Sequence, residues 1–271
     1  MNGTLYQGSK PVMWSPVEQT ALAEAEVEYE DRKANVIWVK FPVVDVRLDP
    51  PGSERALLDH TYQEEEGRSA TDAEFERDKM AARYSDSHIV IWTTTPWTIP
   101  ANRAVSFSRD ISYGHYECEA IEEDLPFEPW IKQGDKLIVA DALVESVFKA
   151  AKAAKWTRLD TVEAGELEMM VLSHPLHAAG LGGYDFDVPL IAGDHVTDDA
   201  GTGFVHTAPS HGEDDYNVWL ANGHSSSDIP ETVDEFGRYT KECPGFEGLD
   251  VIRLDGKKRG QDGKANKAVM D

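Results

Sequence analysis

Cys118 and Cys243 are the only cysteines in 271 residues. Two are too few for a disulfide framework, so both are expected as reduced thiols. Long apolar runs are missing too. No stretch approaches the ~20 residues a helix needs to cross a bilayer, so a soluble protein without a membrane partner is expected. No charged-then-apolar leader opens the sequence, so nothing marks secretion and a cytoplasmic location is expected. Positive charge is scarce: 26 basic residues stand against 50 acidic ones, a net charge of −24. A domain that grips nucleic acid by itself is normally basic, whereas this surface would repel phosphate over most of its area. The densest basic stretch, Lys257, Lys258, Arg259, Lys264 and Lys267 among glycines, reads as a flexible, solvated tail. A P-loop, a G-x-S-x-G elbow, an H-E-x-x-H zinc signature and internal repeats are all absent.

What the chain does have is a threonine-rich peptide, Trp92-Thr93-Thr94-Thr95-Pro96-Trp97-Thr98-Ile99-Pro100-Ala101-Asn102. The preceding His88-Ile89-Val90-Ile91-Trp92 reads as a buried strand. The hydroxyls therefore begin where a strand ends, and the prolines stop the backbone from continuing as sheet. A rigid shelf of neutral donors and acceptors at a strand end suits a polar substrate. A strand turning a corner is the plainer reading, since Thr and Trp are ordinary strand residues.

A second segment shifts the balance. Asp198 to Tyr216 contains a glycine turn at Gly201-Thr202-Gly203, a short strand carrying His206, Pro209 ending that strand, and Glu213-Asp214-Asp215. The acidic run falls in the first turn of a helix expected to reach about Asn222, where carboxylates suit the macrodipole.

Together the two peptides resemble the editing domain of isoleucyl-tRNA synthetase. That family carries W-T-T-T-P-W-T-x-P-A-N and a distal G-T-G-x-V-H-T-A-P-x-H-G-x-D-D-Y, and both stand here almost letter for letter. The valyl and leucyl enzymes have T-T-R-P in the first peptide; Thr95 replaces that arginine here, which selects the isoleucyl branch. Lys10–Ser15 with Thr20–Tyr29 is similar to the family's way into the domain. Cys243–Gly248 and Gly263–Lys267 are similar to its way out. The synthetic site's H-I-G-H and K-M-S-K-S are not found, so the resemblance implies a piece excised from a larger synthetase, whose remainder is an expected partner. Many relatives have C-x-x-C near the start. Ser15-Pro16-Val17-Glu18 stands there instead, so no zinc site is expected.

Eight strands are expected, at about 24–29, 35–44, 88–94, 103–107, 113–121, 136–139, 167–173 and 203–207. One helix is expected from about 142 to 154, with Asp141 as its cap. Many strands and few helices give a β-rich α+β class, and the resemblance implies a barrel-like editing domain of the valyl/isoleucyl/leucyl type. Residues 1–271 read as a single domain with a charged surface insertion at about 47–86. A capping-box-like start at Thr71–Glu74 makes part of that insertion helical.

The resemblance also implies the substrate, the acceptor end of tRNA(Ile) wrongly carrying valine, and with it the hydrolysis of valyl-tRNA and of valyl-adenylate. In a hydrophobic pocket a missing methylene is worth only ~1–3 kcal/mol, isoleucine against valine being the usual illustration of that limit. A second, hydrolytic pocket can instead reject isoleucine by size. Carried over residue by residue, Asp215 anchors the α-ammonium and His206 gauges the side chain. Thr95 and Thr98 contact the amino acid and the water. Thr93, Thr94, Trp97 and Asn102 shape the wall that holds ester and adenosine. No Ser-His-Asp or Cys-His set is visible, so oriented water is the expected attacker and no cofactor is implied. Two alternatives stay open at this point. One is a metal-dependent hydrolase using His206, His211 and Asp214 or Asp215, or the pair His174 and His177. The other is a non-catalytic tRNA-docking module.

Overall fold

The structure, a computed structural model, describes residues 10–28, 33–47, 70–254, 256 and 259–271. A small hairpin pairs β1 (Trp14–Ser15) with β2 (Thr20–Ala21). The strands that follow are β3 (Ile37–Val46), β4 (Ser87–Thr93), β5 (Ala104–Phe107), β6 (Tyr113–Ile121) and β7 (Lys136–Ala140). After them come β8 (Ala153–Val162), β9 (Met170–Ser173), β10 (Asp187–Ala192) and β11 (Phe204–Thr207). The helices are α1 (Ala70–Arg83), α2 (Val144–Ala150), α3 (Ala164–Met169), α4 (Glu213–Ala221) and α5 (Lys264–Met270).

One nine-stranded mixed sheet dominates, in the order β11-β5-β10-β9-β3-β4-β7-β6-β8. Its parallel pairs are β5–β10 and β4–β7. Apolar side chains of these strands, among them Phe41, Ile89, Ile91, Phe107, Leu137 and Ile138, pack with Val147 and Phe148 of α2 into the main core. Burial of that surface is the dominant favourable term in holding the sheet.

The sheet curls until β11 lies back against β4. A seam of two hydrogen bonds fastens the approach: Ala140 N–H donates to Thr202 C=O at 3.0 Å, and Tyr113 Oη donates to Gly203 C=O at 2.7 Å. Gly203 has φ +81°, and a Cβ there would lie 2.4 Å from the Cβ of Ala140. Only glycine satisfies both demands. Among the described residues the ladder runs from β11 to β8, and the curl that lays β11 against β4 is in keeping with the barrel-like expectation.

The β-rich α+β class is as expected, and the reading of several elements is corrected. The strand expected from Glu24 begins as a 3-10 turn, Glu24–Glu26, and Tyr29 lies outside the described residues. The helix expected to reach 154 stops at Ala150, and β8 starts at Ala153. Asp141 is not a side-chain cap; it accepts from Tyr116 Oη and pairs with Arg158 at 3.0 Å. The expected strand 167–173 is helical up to Met169. There Glu166 accepts from Glu163 N–H at 2.9 Å and pairs with Arg83 at 2.7 Å, which closes the first turn of α3. Of the 47–86 stretch, residues 48–69 lie outside the description. Its helix is already formed at Ala70, so Thr71 lies within it, and Tyr84 just beyond is fully buried. The basic tail is likewise corrected from Gly263 onward. Lys257 and Lys258 lie outside the described residues, but Lys264–Met270 is helix α5, with Ala265 and Asn266 buried.

Candidate functional site

The threonine peptide begins inside β4 and ends at β5. Thr93 is the last residue of β4 and is buried, while Thr94 and Thr95 are exposed. Pro96 then starts a 3-10 turn, Pro96–Ala101, its fixed φ suiting the first helical position. Thr98 N–H donates to Thr95 C=O at 3.0 Å, and Asn102 N–H to Ile99 C=O at 3.0 Å. The Thr93 hydroxyl accepts from Thr95 N–H at 3.1 Å and sits 3.1 Å from the Thr95 hydroxyl. Behind the turn, His174 Nε2 donates to Ile99 C=O at 3.0 Å, while its Nδ1 accepts from Leu176 N–H at 3.1 Å.

His206 reaches this turn from β11, which pairs with β5 so that His206 faces Val105 in register. Its ring is 8% exposed and both nitrogens are taken. Asn102 Nδ2 gives one hydrogen to Ala104 C=O at 2.8 Å and lies 2.7 Å from His206 Nδ1. Turning the amide over would set Oδ1 against the Ala104 carbonyl, so the second amide hydrogen goes to Nδ1. The ring proton is then on Nε2, 3.0 Å from the Thr98 hydroxyl, and Thr98 in turn donates to Thr95 C=O at 2.8 Å. The result is a directed chain, Asn102 to His206 to Thr98 to the Thr95 carbonyl. Burial pushes the His206 pKa down to about 3, with His211 nearby lowering it further. At neutral pH the ring is therefore an uncharged surface whose proton and lone pair are both committed.

Asp215 lies in the first turn of α4, just past the C-terminal end of β11. Ala208 N–H donates to its Oδ2 at 2.9 Å. A Cβ on Gly212 would fall 2.8 Å from the carboxylate, so glycine makes room for the chain to wrap it. Burial raises the carboxyl pKa above its ordinary value, while Ala208 N–H and the nearby His195 pull it back.

Of the eight residues singled out in the sequence, Thr93, Thr95, Thr98, Asn102 and His206 form one hydrogen-bonded group. Asp215 stands apart from it at the strand end. Thr94 is exposed and makes no hydrogen bond to the described residues. Trp97 turns its ring edge-on to His211, with centroids 4.8 Å apart. Tyr239 and Asn266 also touch the turn, and neither was expected as a site residue, Asn266 having stood only in the stretch similar to the family's way out of the domain: Tyr239 Oη donates to Trp97 C=O, and Trp97 N–H donates to Asn266 Oδ1 at 3.1 Å. As for metal ligation, His206 and His174 spend both ring nitrogens inside the protein, and His211 Nε2 lies 2.7 Å from the Thr232 hydroxyl. Among the described residues no group of three His, Cys, Asp or Glu is placed to hold an ion.

Three buried histidines make stability depend on pH. His115, beside Ser87 at 2.9 Å, is lowered to about 4, and His174 and His206 to about 3, in each case chiefly by burial. The unfolded chain therefore takes up protons that the folded one refuses once pH drops below ~6.5. Their contribution is complete above that value and is lost as pH falls toward 4. Each proton is worth up to ~1.4 kcal/mol per pH unit. His211, lowered to about 4, and His88 and His224, also lowered, add to the same trend, each chiefly by burial, while Asp215 acts in the opposite sense. The urea midpoint is expected to drop steeply between pH 7 and pH 5; an equal or higher midpoint at pH 5 contradicts neutral buried rings.

The family model described as tRNA synthetases class I (I, L, M and V) matches residues 1–231. This chain belongs to the class I tRNA synthetases. Within that family, the isoleucine–tRNA ligase of Caulobacter vibrioides is 54% identical over 270 residues, which is 99% of this chain and 24% of that protein. The isoleucine–tRNA ligase of Rhodopseudomonas palustris is 47% identical over 275 residues, 99% of this chain and 23% of that protein. This synthetase chain thus spans about a quarter of the length of the curated relatives it matches. Among solved structures, the P. falciparum cytosolic leucyl-tRNA synthetase editing domain overlaps loosely. It covers 87% of this chain and 95% of its own, at 10% identity and a TM-score of 0.46. The P. knowlesi counterpart covers 90% and 85%, at 9% identity and a TM-score of 0.44. No helix of the synthetase chain is long and apolar enough to cross a membrane, among the described residues.

Proposed function

We propose that this chain is the proofreading unit of an isoleucine–tRNA ligase, hydrolysing the valyl ester of tRNA(Ile) and, in the same pocket, valyl-adenylate. The observation that carries the reading is the double commitment of His206, which makes its ring a fixed wall and not a proton carrier. A wall of that kind measures size. Asp215, at the end of the same strand, supplies the negative charge an α-ammonium needs, and a charge-assisted bond is the stronger kind. The exposed Thr95 hydroxyl orients the water. Thr98 has its proton held by the Thr95 carbonyl and keeps one lone pair for substrate or water. Thr93, Thr94, Trp97 and Asn102 line or stiffen the shelf for the terminal adenosine. Water adds to the ester carbonyl carbon, the bond from that carbon to the ribose oxygen breaks, and the ribose oxygen leaves with a proton. Aminoacyl esters are reactive, so orientation supplies much of the rate without a strong base.

The deciding experiment compares deacylation of valyl-tRNA(Ile) and isoleucyl-tRNA(Ile). The valyl ester is expected to be cleaved at least tenfold faster. Equal rates remove the sieve, and no cleavage of either ester leaves a docking module. Hydrolysis is also expected to survive a chelator unchanged, because the rings of the shelf offer no free lone pair to an ion. Stoichiometric zinc, with activity lost to the chelator and restored by zinc, would refute that.

A further inference from the structure

The 3-10 turn that carries Thr98 and follows Thr95 leaves the Trp97 peptide without bonds of its own. Trp97 N–H belongs to the first turn, where helical amides lack an internal partner. The Trp97 carbonyl would look to the residue three positions on, but that residue is Pro100, which has no N–H to give. Both gaps are filled from far along the chain. Asn266 Oδ1, on α5, accepts from Trp97 N–H at 3.1 Å across 169 residues. Tyr239 Oη donates to the Trp97 carbonyl across 142 residues. Asn266 is 5% exposed and Tyr239 2% exposed, so water does not compete well for either bond. Tyr239, Phe246, Cys243 and Ala265 form a small core of their own, against which Trp97 packs.

Of the peptide planes between the Thr95 and Thr98 α-carbons, the two that flank Trp97 are each pinned by one of these bonds. The direction in which the Thr98 side chain leaves the backbone therefore depends on them. So does its reach to His206.

We propose that Tyr239 and Asn266 are positioning residues of the proofreading site. By holding the two faces of the Trp97 backbone, they set Thr98 against His206 and Thr95 against the water. The proposal rests on the proofreading reading above, and it goes beyond it by placing the determinants of the shelf's geometry in the last part of the chain, outside both signature peptides.

Three variants test it. Tyr239→Phe removes one oxygen and keeps the ring. Asn266→Leu removes the acceptor at similar size, and Asn266→Asp keeps an acceptor oxygen. Under single turnover with valyl-tRNA(Ile), Tyr239→Phe and Asn266→Leu are expected to lose about tenfold in the hydrolytic rate constant. The half-saturating concentration should stay within about twofold, since neither residue is proposed to touch substrate. Asn266→Asp is expected to recover most of the rate. Exchange of the Trp97 amide proton, followed by NMR, is expected to quicken at least tenfold in Asn266→Leu and to stay protected in Asn266→Asp. Parental rates and parental Trp97 protection in the folded variants overturn the proposal. So does a loss that disappears once rates are counted per folded molecule, or one that falls on half-saturation alone. If the parent protein cleaves no valyl ester, the proofreading reading fails, and the exchange arm then decides separately whether the clamp exists.

Discussion

Replacing Asp215 with alanine is expected to lower kcat/KM for valyl-tRNA(Ile) hydrolysis by at least 100-fold while the fold survives. Losing a hydrogen bond to a charged group costs about 1.5–3 kcal/mol, which is roughly 10- to 150-fold in rate. The upper part of that range applies because an unanchored ammonium also releases the ester from its position beside the water. Alanine removes the acceptor for Ala208 N–H as well, so Asp215→Asn is the cleaner comparison: it keeps an oxygen for that amide and discards the charge. Both variants should be inactive if charge is what matters. A folded Asp215→Asn protein with near-parental hydrolysis would remove the carboxylate from the substrate's reach and the assignment with it.

His206→Ala should do something different in kind. Truncation opens the space that the ring fills between Asn102 and Thr98, so the side chain of isoleucine gains room. Correctly charged isoleucyl-tRNA(Ile), which the parent is expected to spare, is expected to be cleaved by the variant at a rate within about tenfold of the valyl ester, the extra methylene being worth ~1–3 kcal/mol either way. Thr98 and Asn102 each lose a partner, so a modest fall in stability accompanies the change. Loss of activity toward both esters would mean that His206 takes part in the chemistry, against the lone pair at Nδ1 that the 2.7 Å approach of Asn102 Nδ2 commits.

What could be read from the residues alone has a physical boundary. The shelf at the end of β4 was legible because its determinants are local: an apolar strand, then hydroxyls, then prolines at fixed offsets. The same holds for Gly203, His206 and the acidic start of α4. The edge strand β8 was not legible, since most of its side chains are exposed and no apolar face repeats along it. Strand β10 hid behind Pro189, which argues against a strand deep within a sheet, yet it runs between β5 and β9. Helix α5 and Tyr239 escaped for another reason. Their work is done across more than a hundred residues, by one bond to each of the two peptide units that flank Trp97, and such bonds leave no periodic trace.

The seam at Gly203 has a consequence in time. The curl of the sheet brings the His206 ring to Thr98 across 108 positions of chain. Synthesis proceeds at ~5–20 residues per second, so during translation the threonine shelf waits roughly 5–20 seconds for the strand that completes it. Asn266 emerges later still, 169 positions after Trp97. Until then β4 and β5 lack β11, and the edge of β5 that it covers stands open to pairing by another chain. Contacts of such sequence separation also form late in refolding, because loop closure must precede them. The pocket is therefore the last part of the sheet to exist: a chaperone, a ribosome pause or a truncated message would encounter this protein first as an unfinished sheet and only afterwards as a site.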